Sequence, residues 1–242
     1  MHDWPTFTPA EMTRRRTALE ALCAEHDLDG ILLYGTNRNG NAVPWLTGWQ
    51  TTREAAVLMR PGEQDVLWVQ FYNHVPTATR MAADADVRWG GHRTADTVVE
   101  AIAGAGVARL GILGPIGWKL HARLATAATL VDLGGAYTRL RMVKSDEEME
   151  WMRRGAELSD AAILALRDAA VPGADERELG AAVEAAYLPQ GGTNHIHYFG
   201  VTSMADPDRC VPSQWPSTRR LEAGDVLTTE ISAAWWGYAG QV

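Results

Sequence analysis

The sequence predicts an α/β unit followed by an α+β unit, and three observations lead to this prediction. Over about residues 1 to 135, short apolar runs alternate with helix-like segments, which is the order of elements in α/β domains. The remaining residues show two helix-like segments and then two strand-like runs, the order of an α+β domain with an antiparallel sheet. The length of 242 residues also exceeds the usual domain size of about 100 to 150 residues. We therefore expect one domain at residues 1–138 and a second at residues 139–242.

The first unit begins with a helix at residues 9–27. Its Met12, Leu19 and Cys23 lie near one face, while the three arginines at 14–16 are expected to face solvent. The apolar runs that follow are bounded by glycine or turn sequences and predict buried strands. After residue 27 the predicted order is the strands GILLYG (30–35), EAAVLMR (54–60) and DVLWVQF (65–71), the helix TADTVVEAIAGAG (94–106), the strand RLGILG (109–114), the helix WKLHARLATAA (118–128) and the strand TLVDLGG (129–135).

Two capping boxes predict where the helices of the second unit begin. Ser145 is followed three residues later by Glu148, and Asp175 stands in the same relation to Glu178. In such a pair the first side chain accepts from a free helix amide, and the glutamate binds the amide of the capping residue. The sequence VPG at 171–173 separates the two helices. Strands are then predicted at HIHYFGVTS (195–203) and DVLTTEISAAWWGYAGQV (225–242), joined by a long polar loop.

The composition excludes several kinds of partner and site. With 22 Lys and Arg against 30 Asp and Glu, and no basic block, the chain has no field that attracts nucleic acid or an anionic membrane. Cys23 and Cys210 are the only cysteines, far apart and without metal-ligand spacing, which favours a reducing compartment. The first residues lack the basic start and apolar core of a signal peptide. We expect a cytoplasmic protein that binds neither nucleic acid nor membrane.

His195 and His197 are the candidate catalytic residues. They are two apart on a predicted strand, which places their side chains on one face and those of Asn194 and Tyr198 on the other. Such a pair can bind a divalent metal or place an acid and a base beside one substrate. The alternative, which we favour for an isolated His-x-His taken by itself, is a pair of hydrogen-bonded surface or core histidines.

Glu230 and Gln241 are the candidate metal ligands. They lie eleven residues apart, on the outgoing and returning strands of a predicted hairpin, so that a carboxylate and a second oxygen ligand can face one cation. The alternative is that Glu230 faces solvent and that Gln241 forms a hydrogen bond at the sheet edge.

Three stretches together resemble the creatinase and Xaa-Pro aminopeptidase (prolidase-like) family. They are WLTGW (45–49), RMVKSDEEMEWMRRGAELSDAA (141–162) and LEAGDVLTTEISAAWWGYAGQV (221–242). The resemblance covers nearly the whole chain and implies a creatinase-type α/β N-terminal domain followed by the first half of an α+β "pita-bread" catalytic domain. The resemblance also implies a later His and two later Glu ligands, which this sequence does not reach, so we expect the chain to be an inactive part of a longer protein.

The resemblance also implies how each site residue departs from the family pattern. The metal-binding aspartates of the family correspond here to Glu230 and Gln241, and Gly237 and Tyr238 match. A neutral amide adds no charge, so Gln241 should weaken a two-metal site severely. The family's substrate-holding histidine corresponds to Ser213, which cannot shuttle a proton at neutral pH. Ser213 and Tyr238 are therefore expected to bind substrate, and His195 and His197 to supply the acid and base.

Two hypotheses about function follow from this resemblance. In the first, the complete protein hydrolyses a C–N bond in a small peptide or amide, as Xaa-Pro peptidases or creatinases do, and acts as a homodimer. Its cofactor is then a divalent metal, Mn, Co, Zn or Fe, or it works without metal in the manner of creatinase. In the second, it is a pseudo-enzyme that keeps the fold and binds a peptide or a protein. The C-terminal half of the catalytic domain would discriminate between them.

Overall fold

The computed structural model describes residues 4–209 and 211–242, so Cys210 lies outside the described residues. The chain forms two compact units, the first ending at Lys144 and the second spanning Ser145–Val242. The boundary predicted between residues 138 and 139 falls inside a helix, Gly134–Met142. None of the helices in the described part of the chain has both the length and the apolar character needed to cross a membrane.

The first unit is built on a six-stranded mixed sheet, as an α/β fold requires, and the predicted strands and helices are confirmed. The strand order is β4-β3-β2-β1-β5-β6. The pairs β1–β2 and β2–β3 are antiparallel, and the pairs β3–β4, β1–β5 and β5–β6 are parallel. Both faces are covered by apolar clusters: Ile31 and Leu33 point to one and Leu32 to the other, which explains the unbroken apolar run of β1. The strands are β1 (Gly30–Thr36), β2 (Glu54–Met59), β3 (Val66–Val69), β4 (Asp86–Trp89), β5 (Arg109–Leu113) and β6 (Thr129–Asp132).

The described residues of this unit form six α-helices, and three of them were not predicted from the sequence. The unpredicted helices α2, α3 and α6, like the edge strand β4, are short and lack a clear apolar period, so tertiary packing decides their conformation. The helices are α1 (Pro9–Glu25), α2 (Ala42–Thr47), α3 (Val75–Met81), α4 (Thr94–Gly104), α5 (Trp118–Leu124) and α6 (Gly134–Met142).

The expectation that all three arginines of α1 face solvent is wrong for Arg15. Its side chain is 1% exposed and lies one helical turn from Glu11, also buried, and one turn from the core residue Leu19. Arg15 Nε donates to Glu11 Oε1 at 2.6 Å, and Nη1 donates to the carbonyl of Trp45 at 2.9 Å. The guanidinium also lies over the ring of Phe7. A charged group can be buried here because its donors are paired and its planar face contacts aromatic rings.

In the second unit two helices pack on one face of an antiparallel sheet, the predicted α+β order. Both capping boxes are present: Ser145 with Glu148, and Asp175 with Glu178. The order of strands in the sheet is β7-β8-β9. Leu158 of the first helix, Leu179 of the second and Ile231 of the sheet belong to one buried cluster. The elements are α7 (Asp146–Ala169), α8 (Glu176–Tyr187), β7 (Thr193–Ser203), β8 (Asp225–Trp235) and β9 (Tyr238–Ala239).

Glycines allow α7 to approach the hairpin of β8 and β9 closely. A Cβ at Gly155 would lie 2.3 Å from the carbonyl oxygen of Tyr238, and one at Gly240 would lie 2.6 Å from Cα of Ala156. Ser159 Oγ donates to the carbonyl of Gly240 at 2.8 Å, which fixes the same contact. This packing holds the returning strand, and with it Gln241, beside β8.

Candidate functional site

The sheet of the second unit has two faces, and the candidate residues are divided between them. His197 pairs across the sheet with Ile231, and Tyr198 pairs with Glu230. Because Ile231 is fully buried in the cluster beneath α7 and α8, His197 also points toward the helices. Tyr198 and Glu230 therefore point to the other side, which we call the outer face. The site that combined His197 with Glu230 is thus split by the sheet.

A β-bulge at His195 overturns the expectation that His195 and His197 share a face. Asn194 pairs with Ala233 and Ile196 with the adjacent Ser232, so His195 is the extra residue that the bulge inserts into β7. The bulge changes the alternation, and it is Asn194 that shares the face of His197: its Nδ2 lies 3.0 Å from His197 Nδ1. His195 is exposed, whereas the side chain of His197 is 7% exposed. Catalytic roles for the two histidines stay a prediction.

His197 is held by hydrogen bonds at both ring nitrogens. The Asn194 amide also donates to Glu184 Oε1 at 3.0 Å, so it presents a donor to Nδ1. That carboxylate oxygen lies 3.4 Å from Nδ1, and Nε2 lies 3.1 Å from the hydroxyl of Tyr187. Burial lowers the pKa of His197, although the carboxylate of Glu184 opposes this shift. The ring is therefore neutral at pH 7 and packed edge-on against Tyr187.

Glu230 and Gln241 meet, as their positions on the hairpin predicted. Gln241 Nε2 donates to Glu230 Oε1 at 2.5 Å. The returning strand continues past β9, because Ile231 and Val242 exchange two backbone hydrogen bonds of 3.0 Å. This ladder fixes Gln241 next to Glu230 at the edge of the outer face.

The residues present do not by themselves fit a divalent metal. Glu230 offers one carboxylate, and Gln241 offers only one carbonyl oxygen while its amide nitrogen is turned toward that carboxylate. Within residues 4–209 and 211–242, no group of three or more His, Cys, Asp or Glu side chains could hold a metal ion. Their role as metal ligands stays a prediction.

Tyr238 and Ser213, the predicted substrate-binding residues, lie in different surroundings. The Tyr238 hydroxyl donates to Glu148 Oε1 at 2.8 Å, and its ring packs edge-on against Trp151, so the side chain lies against α7. Ser213 forms two backbone hydrogen bonds with Phe199 of β7, and its Oγ accepts from the amide of Trp215 at 3.1 Å. Ser213 therefore borders the sheet at the free side of β7.

Glu176, at the start of α8, was not singled out from the sequence, but the structure gives its side chain several distant partners. Its carboxylate is fully buried at the start of α8 and accepts hydrogen bonds from β7 and from the loop between β7 and β8. In the sequence, an acidic residue directly after the capping Asp175 indicates only a favourable interaction with the helix dipole.

The comparisons with known proteins cover both units. Residues 15–143, more than half of the chain, match the family model of the creatinase/prolidase N-terminal domain, and residues 150–242 match that of metallopeptidase family M24. A Xaa-Pro dipeptidase of Pyrococcus furiosus is 27% identical over 103 residues, which are 43% of this chain and 29% of that protein. An uncharacterised peptidase of Bacillus subtilis, YqhT, is 21% identical over 228 residues, or 93% of this chain and 62% of that protein.

Solved structures share the fold of the chain. A prolidase from Pyrococcus horikoshii aligns with a TM-score of 0.77 and 18% identity, over 94% of this chain and 63% of its own. The chain thus spans less than two thirds of the length of each of these relatives. On the match to the N-terminal domain model, the chain belongs to the creatinase/prolidase family, and its residues 150–242 match the M24 peptidase model.

Proposed function

We propose that the protein hydrolyses a C–N bond in a short peptide or small amide, and that the reaction takes place on the outer face of the second unit. The observation that carries this proposal is the hydrogen bond between Glu230 and Gln241 on that face. Tyr198 lies on the same face, beside Glu230 on the neighbouring strand. Membership of the M24 family, and the Xaa-Pro dipeptidase among the relatives, support a peptide substrate.

Glu230 is the group we assign to the chemistry. It is the carboxylate of this pair, and a carboxylate can accept a proton from water or bind an ammonium group of the substrate. Gln241 holds one of its oxygens by a hydrogen bond, which fixes the rotamer and leaves the second oxygen for substrate or water. Ser213 would border the bound substrate. Whether a divalent metal takes part depends on ligands beyond the pair.

Hydrolysis of Xaa-Pro dipeptides and of small amides by the purified intact protein tests the proposal. Each assay is run without metal and with added Mn²⁺, Co²⁺, Zn²⁺ or Fe²⁺. We expect turnover in at least one condition and a loss of about 100-fold or more in Glu230→Gln, because a general base typically contributes 10²–10⁴-fold. Glu157→Gln, on the exposed surface of α7, is the matched control and should leave the rate unchanged.

The competing function is that of a binding module without turnover. The neutral amide at Gln241, next to the carboxylate, is the observation that favours it. Binding of a Xaa-Pro dipeptide without hydrolysis in any metal condition would support this alternative and overturn the proposed hydrolase.

A further inference from the structure

Glu176 has a carboxylate whose partners lie mostly outside its own helix. The side chain is 0% exposed, and Oε1 accepts from the amide of Val201 at 3.1 Å and from Nη1 of Arg209 at 2.7 Å. Oε2 accepts from the amide of Ser217. Val201 belongs to β7, whereas Arg209 and Ser217 belong to the loop that joins β7 to β8. A buried carboxylate is costly unless it is paired, so the contact to Val201 ties Glu176 to the sheet and the contacts to Arg209 and Ser217 define where the loop lies.

That loop, residues 204–209 and 211–224 of the described chain, is attached to the sheet at further points. Thr202 Oγ1 donates to Asp208 Oδ1 at 2.7 Å, and Arg219 makes two hydrogen bonds of 2.7 Å with the carboxylate of Asp225. The two backbone bonds between Ser213 and Phe199 fix its middle. These contacts orient the loop, and Glu176 binds it on both sides of Ser213.

The middle of the loop lies over the outer face beside the pair of Tyr198 and Glu230. Gly200 pairs with Thr228, two residues along each strand from the pair of Tyr198 and Glu230, and so its missing side chain would point to the same face. A Cβ at Gly200 would lie 3.2 Å from Cα of Pro212 and 3.4 Å from the carbonyl oxygen of Val211. The loop backbone therefore rests directly on the sheet there, next to Tyr198.

We propose that Glu176 is a positioning residue that fixes this loop as one wall of the substrate site. The inference rests on the function proposed above. The large apolar side chains of the loop, Val211 and Trp215, are 74% and 78% exposed and so free to contact a substrate bound beside Glu230. Such contacts are made equally to substrate and transition state, so releasing the loop should raise KM much more than it lowers kcat.

The test is Glu176→Gln in the intact protein. Its amide group can still accept from Val201 and Arg209, but its nitrogen would face the amide of Ser217, so the loop loses one contact while the fold is kept. We expect amide hydrogen exchange in residues 211–224 to rise about tenfold, and KM for the dipeptide to rise about fivefold or more with kcat within about twofold.

Two further variants make this result specific. Ser145→Ala removes the cap of α7 and lowers the stability of the same unit, but the cap is not one of the contacts that hold the loop. Amide hydrogen exchange in the loop and KM should therefore stay as in the wild type. Gly200→Ala pushes on Pro212 from beneath and should raise KM as Glu176→Gln does, even if the latter folds poorly.

The outcomes separate this inference from the proposed function. Unchanged exchange in the loop of Glu176→Gln would overturn the inference, as would faster exchange with an unchanged KM in both Glu176→Gln and Gly200→Ala. Absence of hydrolysis in the wild type would instead overturn the proposed function. It would also remove the role of the loop as a wall of the substrate site, whatever the rate of amide hydrogen exchange.

Discussion

Asn194 Nδ2 lies 3.0 Å from Nδ1 of His197, three residues further along β7, although an unbroken strand would put the two on opposite faces. The bulge at His195 makes this contact, and Glu184 and Tyr187 of α8 complete the network around the ring. His197 consequently belongs to the packing of α8 on the sheet, which gives its neutral form a role in stability.

The stability of the second unit should fall in mild acid through His197. Burial lowers its pKa in the folded state, so in the interval below the ordinary value of about 6.5 the unfolded chain binds more protons than the folded one. The contribution of neutral His197 to the free energy of unfolding is complete above the ordinary pKa of about 6.5, and it is lost as the pH falls through the lowered pKa of the folded state. Urea unfolding at about pH 7 and about pH 5 should show a smaller loss of free energy in His197→Gln than in wild type. The exposed His195→Gln is the control, and equal losses in all three proteins would contradict the prediction.

Removing the hydroxyl of Tyr238 should destabilise the second unit. Glu148 is 1% exposed and its Oε1 accepts from that hydroxyl, so Tyr238→Phe leaves a buried carboxylate oxygen with a lost donor, at a cost of about 1–3 kcal/mol. The measurement is the free energy of unfolding in urea. Tyr72→Phe, at a side chain that is mostly exposed, should change it by less than about 0.5 kcal/mol. No loss in Tyr238→Phe would mean that the hydrogen bond to α7 is not what holds this tyrosine.

Alanine at two helix glycines should have effects of opposite sign. Gly155→Ala places a methyl group 2.3 Å from the backbone oxygen of Tyr238, and overpacking of this kind costs about 1–3 kcal/mol. At Gly180 the nearest atom, Cε2 of Phe199, is 3.7 Å away, so Gly180→Ala should gain up to about 1 kcal/mol of helix propensity. Thermal unfolding of both variants measures the two effects. A gain in stability for Gly155→Ala would refute the close approach of α7 to the hairpin.

Arg15 should matter far more than its neighbour Arg14. Arg15→Met removes one of the cations paired with the buried Glu11 and the donor to the carbonyl of Trp45, which should cost about 3 kcal/mol or more. Arg14 is 42% exposed, and Arg14→Met should cost less than about 1 kcal/mol. Chemical denaturation of the first unit compares the two. Similar costs would mean that Arg15 contributes no more than a surface ion pair.

A second carboxylate at position 241 should create affinity for a divalent cation. Gln241→Asp places an acidic group beside Glu230, and the affinity of oxygen sites rises with the number of charged ligands. Calorimetric titration with Mn²⁺ should show binding at least about tenfold tighter than in the wild type. Gln241→Asn keeps a neutral amide and should not gain affinity. If both variants bind Mn²⁺ as the wild type does, the pair does not face a cation.

Local features of the sequence were enough to predict most of the fold. The capping pairs Ser145–Glu148 and Asp175–Glu178 act within a single helical turn, and both helices begin where these pairs predict. The apolar run at residues 30–35, bounded by glycines, likewise predicted a buried strand, and β1 spans Gly30–Thr36. The meeting of Glu230 and Gln241 was also predictable, since a hairpin fixes it.

The longer helices and strands, the family and the pairing within the last hairpin could be predicted from the amino-acid sequence, whereas the short elements α2, α3, α6 and β4 could not. The tertiary structure decided the rest: that His197 and Glu230 lie on opposite faces of the sheet, that Arg15 is buried, and that Glu176 holds a loop. The physical reason is the range of the interactions. Caps and periodicity act over a few residues, whereas a bulge, a buried ion pair and a loop contact depend on which distant segments are packed together.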